Sequence, residues 1–301
     1  KTKLVDGKIK PLTDFAYVLD VDDIKSGTFL ACQSLARSDL TIRVDSLGDG
    51  LQPIKPNVFA GEISELNYLT HDIQEVIVSL DGEMDYYAGQ YANLTVPGIT
   101  ESRSYSFASA PEVESNTVIK FHIRMVPGGE VSAWLASGEC VGQIIQVEGP
   151  FGVFGIRESL SPIVCIAGGS GMAPILSILE QGLLVKIKRP VVYLYGARTQ
   201  ADLYAESLIS DIRKHWSSSF RFTPILSEEL DETDWDGARG LVTDYIKQVE
   251  DFDLQGAQAY LCGPPAMIDA AIPVLNNCGV RGRDIFYDKF IDRSHSPEIL
   301  S

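Results

Sequence analysis

Ile163-Val164-Cys165-Ile166-Ala167-Gly168-Gly169-Ser170-Gly171-Met172-Ala173-Pro174 is the stretch on which the reading of this chain turns. Its first five residues are apolar without alternation, as expected of a strand covered on both faces in a parallel sheet. Glycines then end the strand, and Pro174 stands where a helix begins and its missing N–H is no loss. A helix start preceded by bare backbone amides suits a pyrophosphate. A plain glycine turn between strand and helix fits the same residues. The stretch also departs from the common dinucleotide fingerprint, because Pro174 stands where that pattern has its third small residue. Ser170 sits in a strand–turn–helix setting like a hydrolase nucleophile, but Met172 occupies the position where that elbow needs its last glycine.

Downstream, amphipathic segments at 174–186, 202–214, 241–249 and 266–277 alternate with apolar runs at 191–195, 220–226 and 259–262. Strand and helix in alternation predict βαβ units and a doubly wound parallel sheet. Upstream the period changes. Glu75–Leu80, Tyr91–Val96 and Val118–Ile123 alternate or run β-branched, punctuated by Asp81-Gly82, Pro97-Gly98 and Pro127-Gly128-Gly129. Short strands at regular intervals predict an antiparallel β-barrel, with one helical patch from Val131 to Ser137. Residues 1 to about 46 are turn-rich and end in the alternating strand Leu40–Val44, after which comes a stretch with two glycines and two prolines. The expected division is therefore 1–47, a linker at 48–56, a barrel domain at 57–157 and an α/β domain at 158–301.

Two further motifs carry chemistry. In Arg103-Ser104-Tyr105-Ser106, the Arg can clamp a diphosphate, the Tyr can lie on an aromatic ring and the Ser can hydrogen-bond a ring nitrogen. A solvated hairpin face is the competing reading. Gly128-Gly129-Glu130-Val131-Ser132 offers amides at a helix start to the same diphosphate. Cys262-Gly263-Pro264-Pro265 ends an apolar run in a turn, placing Cys262 at the carboxyl edge of the sheet, where ligands of open α/β sheets bind. A small buried hydrophobe is the bland reading of any single Cys, and it is taken for Cys140, Cys165 and Cys278.

Together these motifs resemble the ferredoxin–NADP⁺ reductase superfamily, and within it the reductase components of benzoate dioxygenase and of phenol, toluene and soluble methane monooxygenases. The resemblance runs from Phe29 to Phe290. It implies FAD held by Arg103, Ser104, Tyr105 and Ser106, with Arg103 on the diphosphate, Tyr105 on the isoalloxazine face and Ser106 at flavin N5. It further implies that the strand of His122, Ile123 and Arg124 lines the flavin and that Gly129, Val131 and Ser132 complete the diphosphate cradle. The nicotinamide nucleotide falls to Gly169, Gly171, Met172, Ala173 and Pro174, and to Cys262, Gly263, Pro264 and Met267. Asp288-Lys289-Phe290 resembles the family's E-K-F ending, with Phe290 on the second flavin face and Asp288 in place of Glu. Ser106, Cys262 and Phe290 are the implied catalytic residues, Phe290 tilting aside for the nicotinamide. After Tyr195-Gly196-Ala197, Arg198 is placed to meet a 2′-phosphate, whereas Asp202 repels one and suits a ribose diol. With no second basic residue nearby in sequence, NADH is expected over NADPH.

Leu30-Ala31-Cys32-Gln33-Ser34 resembles the surroundings of the last ligand of a plant-type [2Fe–2S] cluster, and Lys1-Thr2-Lys3-Leu4 resembles the residues just after that cluster's third cysteine. The upstream C-x₄-C-x₂-C run that such a cluster needs is not in these 301 residues. Residues 1–47 are accordingly read as the C-terminal part of a truncated ferredoxin domain, with Cys32 the fourth metal ligand of an intact chain only. The implied activity is an oxidoreductase that takes hydride from NADH to FAD and passes single electrons through the cluster to an oxygenase or hydroxylase component. Two alternatives keep the flavin: delivery to a deoxysugar dehydratase, or a non-catalytic FAD-binding subunit.

Composition narrows the rest. A net charge of −16 with 45% hydrophobic residues describes a globular chain without the clustered Lys and Arg that nucleic acid rewards. No apolar run approaches the ~20 residues of a membrane span. Five irregularly spaced cysteines make no disulfide framework, and with no signal peptide the expected location is the cytoplasm. The four histidines have no metal-ligand spacing.

Overall fold

A computed structural model describes residues 2–12, 19, 21–31, 34–43, 52–111, 116–249 and 252–290. Cys32, expected as a metal ligand, lies outside the described residues. The chain forms two compact units, Lys1–Pro53 and Ile54–Ser301. In the first, β1 (Thr2–Asp6) pairs antiparallel with β3 (Thr28–Phe29) and β5 (Thr41–Arg43), and β2 (Ile9–Pro11) pairs with β4 (Ser34–Ala36). A short helix, α1 (Val21–Lys25), precedes β3.

The second unit begins with an antiparallel sheet in the order β10-β7-β6-β11-β8-β9. Its strands are β6 (Asn57–Tyr68), β7 (Ile73–Leu80), β8 (Tyr91–Thr95), β9 (Arg103–Ser106), β10 (Val118–Arg124) and β11 (Ile144–Phe151). The sheet curls until its edges nearly meet. A bridge between Phe107 and Phe121, and the Ala108 amide bonded to the Lys120 carbonyl at 2.8 Å, join the end of β9 to β10. Closure removes the exposed edges that an open sheet must otherwise protect. Alternation explains why these residues make strands: in β7 every second side chain, Val76, Val78 and Leu80, enters the barrel core. Helix α2 (Glu130–Ala136) caps one end, burying Val131 and Leu135.

The parallel sheet comes next, in the order β15-β14-β13-β12-β16-β17. It comprises β12 (Ile163–Gly168), β13 (Val191–Ala197), β14 (Phe220–Leu226), β15 (Ala238–Arg239), β16 (Gln258–Gly263) and β17 (Ile285–Lys289). Four helices connect them: α3 (Met172–Leu184), α4 (Glu206–His215), α5 (Val242–Ile246) and α6 (Pro265–Asn277). Every residue of β12 and β16 is buried, which accounts for their unalternating apolar sequences. Chain order reverses between β12 and β16. That is the switch point of a doubly wound sheet, where a crevice opens beyond the strand ends.

One element starts later than its sequence pattern predicts. The segment read from 202 becomes helical only at Glu206. Asp202 closes a short turn by bonding the Thr199 amide, and Ala205 takes a left-handed φ of 59°. Packing is continuous across the boundary read at 157/158. Ile73, Ala88 and Phe154 of the barrel share one apolar cluster with Ile175, Ile178 and Tyr260 of the α/β part. Ser177 Oγ donates to the Ser109 carbonyl, and Glu180 accepts from the Ala110 amide at 2.8 Å.

Candidate functional site

The ends of β12 and β16 meet at the switch point, backbone against backbone. A Cβ on Gly171 would lie inside the carbonyl group of Cys262, and one on Gly263 would strike Gly168. Gly169 takes a φ of +55°, and its carbonyl accepts hydrogen bonds from the Tyr195 and Tyr204 hydroxyls at 3.3 and 3.2 Å. The glycines are thus required by close approach and by conformation. Beside them opens a cleft of about 330 Å³ lined by Gly168, Gly169, Arg198, Asp202, Pro264 and Met267, with Ser227 and Leu241–Thr243 across from them. Bare amides ahead of α3, beside a cradle that side chains would fill, form a donor set that fits a dinucleotide pyrophosphate. Met172, Ala173 and Pro174 are buried in the base of α3.

The barrel contributes a second half-site. Arg103 Nη1 donates to Glu101 Oε2 at 3.3 Å, and Nη2 lies 3.8 Å from Glu130 Oε2. Glu130 opens α2, so the guanidinium and the head of that helix, 27 residues apart in sequence, come together. An arginine beside the start of a helix is a donor set that fits a diphosphate. Tyr105 packs partly against the barrel core, and burial pushes its phenol up to about 12. Ser104 turns the other way, donating to Asn93 Oδ1 at 2.7 Å on the exposed side. Ile123 and Val131 point into the barrel core, so only their backbone is available to a ligand. Ser132 Oγ accepts from the Val126 amide and fixes the turn before α2. His122 is buried, with Nε2 3.8 Å from Glu75 and its ring edge-on to Tyr204.

The half-sites meet at Asp288. Ser106 Oγ donates to Asp288 Oδ2 at 3.4 Å, and Asp288 is the register partner of Cys262 across β16 and β17. Burial pushes the Asp288 carboxyl up to about 6, the Ser106 bond offsetting part of the rise. Burial also holds the Cys262 thiol well above its ordinary range, and the nearby Asp288 adds to this. Cys262 is fully buried. The Phe290 amide donates to the Gly263 carbonyl at 2.9 Å, tying the end of the described chain to the same turn.

Arg198 and Asp202 lie side by side. Arg198 Nη2 donates to Asp202 Oδ1 at 2.5 Å and to Asp72 Oδ2 at 2.8 Å. Burial opposes ionisation of Asp202, yet the Arg198 bond and the Thr199 amide and hydroxyl together hold it below the usual carboxylate range. Asp72 comes from the β6–β7 turn and was not legible as a site residue, because 126 residues separate it from Arg198. Arg124, read as flavin-lining, borders the nucleotide cleft and lies 3.4 Å from the same Asp72. Ser227 and Leu241–Thr243 were missed for a different reason: polar and apolar residues at strand and helix ends carry no signal of their own.

Residues 60–156 match the family described as oxidoreductase FAD-binding domain, and residues 165–272 match oxidoreductase NAD-binding domain. The chain is 39% identical to the xylene/toluene monooxygenase electron transfer component of Pseudomonas putida, over 97% of this chain and 82% of that protein. It is 35% identical to the phenol 2-monooxygenase reductase component of Pseudomonas sp. strain CF600, over 96% and 82%. The crystal structure of an Amycolatopsis cytochrome P450 reductase superposes with a TM-score of 0.78 at 29% identity, covering 96% of this chain and 86% of that one.

Proposed function

We infer the function of this chain from its membership: it belongs to the ferredoxin reductase family of FAD- and NAD-binding flavoprotein oxidoreductases, as an electron-transfer component of oxygenase systems. In its finer form the proposal is that NADH is the donor, and that electrons pass on singly to an oxygenase or hydroxylase component. One observation carries the hydride step. Ser106 at the end of the barrel strand meets Asp288 beside Cys262 at the sheet edge, with a 3.4 Å hydrogen bond between them.

The chemistry that bound FAD would supply is uptake of a hydride from a nicotinamide and release of its electrons one at a time. The protein's part is placement and proton control. Arg103 and the head of α2 would hold the diphosphate. Tyr105 and Phe290 would flank the flavin ring, with Ser106, hydrogen-bonded to Asp288, at its edge. Asp288 carries a carboxyl that changes protonation near pH 6, hydrogen-bonded to Ser106 Oγ, and is the residue able to hold a proton there. Gly168–Gly171 and Cys262–Pro264 keep the second half-site narrow, backbone against backbone. Asp202, ionised and fixed by Thr199, suits the two hydroxyls of an adenosine ribose.

A plant-type [2Fe–2S] cluster needs four cysteine ligands in a set spacing, and of that set these 301 residues hold Cys32 alone, so they do not fit the cluster. Among the described residues no helix is long and apolar enough to cross a membrane. Anaerobic titration tests the reading. FAD-loaded protein should lose its oxidised-flavin absorbance with one equivalent of NADH and regain it with a one-electron acceptor. Protein that binds FAD but is not bleached by either pyridine nucleotide would leave only the non-catalytic alternative standing.

A further inference from the structure

The nucleotide cleft is bordered by two arginines, Arg124 and Arg198. Such a pair would ordinarily mark a site for a phosphorylated ribose, since a 2′-phosphate is met by arginine at the end of the second strand of a doubly wound sheet. Arg198 comes directly after β13, which is that strand. Both guanidiniums nevertheless face one carboxylate that does not belong to the α/β part, Arg198 through a hydrogen bond and Arg124 through an ion pair. Asp72 Oδ2 accepts from Arg198 at 2.8 Å and lies 3.4 Å from Arg124 Nε.

Asp72 is held for this contact. Thr70 Oγ1 bonds Asp72 Oδ1 at 3.1 Å and accepts from the amides of Asp72 and Ile73, so the turn between β6 and β7 presents Oδ2 outward. Asp202 takes a further share of Arg198 at 2.5 Å. Two cations facing two carboxylates leave the mouth of the cleft without net charge. His71 also approaches Asp202, at 3.7 Å, but the cation seated between the carboxylates is the Arg198 guanidinium, which leaves no place for a metal ion.

We propose that Asp72, a residue of the flavin barrel, determines pyridine-nucleotide specificity: by engaging Arg198 and Arg124 it withholds both from a 2′-phosphate and so restricts the cleft to the unphosphorylated cofactor. The inference rests on the NADH-dependent reading above and deepens it. Asp72 acts through the two arginines and is a positioning residue.

The test compares the holoprotein with Asp72→Asn, which keeps the shape and removes the charge, and with Asp72→Ser as a second route. Calorimetry with 2′,5′-ADP and 5′-AMP reads binding without turnover. Unaltered protein should bind 2′,5′-ADP no better than 5′-AMP, and both variants should gain affinity for 2′,5′-ADP by about tenfold or more, the scale of one recovered charge-assisted bond. The ratio of kcat/KM for NADPH over NADH should rise in parallel. Adding Arg198→Ala to Asp72→Asn should cancel most of the gain. A preference for 2′,5′-ADP in the unaltered protein, or an unchanged ratio in flavin-replete variants, would overturn the inference. Failure of either nucleotide to bleach the unaltered holoprotein would instead sink the reductase reading itself.

Discussion

Asp288 is where one residue says most about this molecule. An aspartate surrounded by β16, the Cys262 thiol and the Ser106 hydroxyl is poorly hydrated, and burial disfavours its charged form. A folded value near 6 against an ordinary value of 3.8 means that the native state binds this proton more tightly than the unfolded chain does. The contribution to stability is therefore complete below the unfolded value and is lost as pH rises through 6. Asp288→Asn removes that dependence. In flavin-free protein, urea unfolding should show the variant gaining on the parent between pH 5 and pH 8 by roughly 1 kcal/mol or more. Equal shifts at both pH values would mean the carboxyl is ordinary. In sequence, Asp288 was visible only as a departure from a family ending. Its burial, which sets its chemistry, depends on strands that pair over a separation no local pattern records.

At the scale of elements, the two glycine turns explain what could be read in advance and what could not. The apolar runs of β12 and β16 gave parallel strands directly, because full burial erases alternation. The barrel strands were legible for the opposite reason: one face is wet, and the period of two survives. The contact between the turns had no such signal, for nothing in Gly171 names Cys262 as its neighbour. That contact makes a prediction. In Gly171→Ala the new methyl group meets backbone on the far side, which has no rotamer to yield. The variant should lose on the order of 2–3 kcal/mol of stability and its NADH response, while still binding FAD at the barrel. Gly282→Ala, where no atom lies within 4 Å of the added carbon, should stay within about 0.5 kcal/mol of the parent. Comparable losses in the two variants, by denaturant midpoint, would show that close packing at the switch point is not what Gly171 provides. Asp72 and Arg198 teach the same lesson in polar terms: their charges were plain in the sequence, their pairing was not.

At the scale of the molecule, the three buried apolar clusters found among the described residues all lie within residues 54–301. One of them spans barrel and sheet, so the flavin and nucleotide half-sites are parts of a single packed body, and the hydrogen bonds from Ser177 and Glu180 to the barrel backbone fix one against the other. Hydride transfer tolerates little misplacement of its partners, and a shared core is the means of holding them to tenths of an ångström. A body that contains its own core does not depend on the first 53 residues to fold. Residues 54–301 produced alone should therefore unfold in one cooperative transition, bind FAD and be bleached by NADH at a rate within about twofold of the whole chain, a margin of roughly 0.4 kcal/mol in barrier. Stopped-flow flavin reduction on the two proteins measures this. Flavin bound but reduced tenfold more slowly would place part of the hydride geometry in the first unit, and would assign that unit a role in shaping the site rather than in receiving electrons from it.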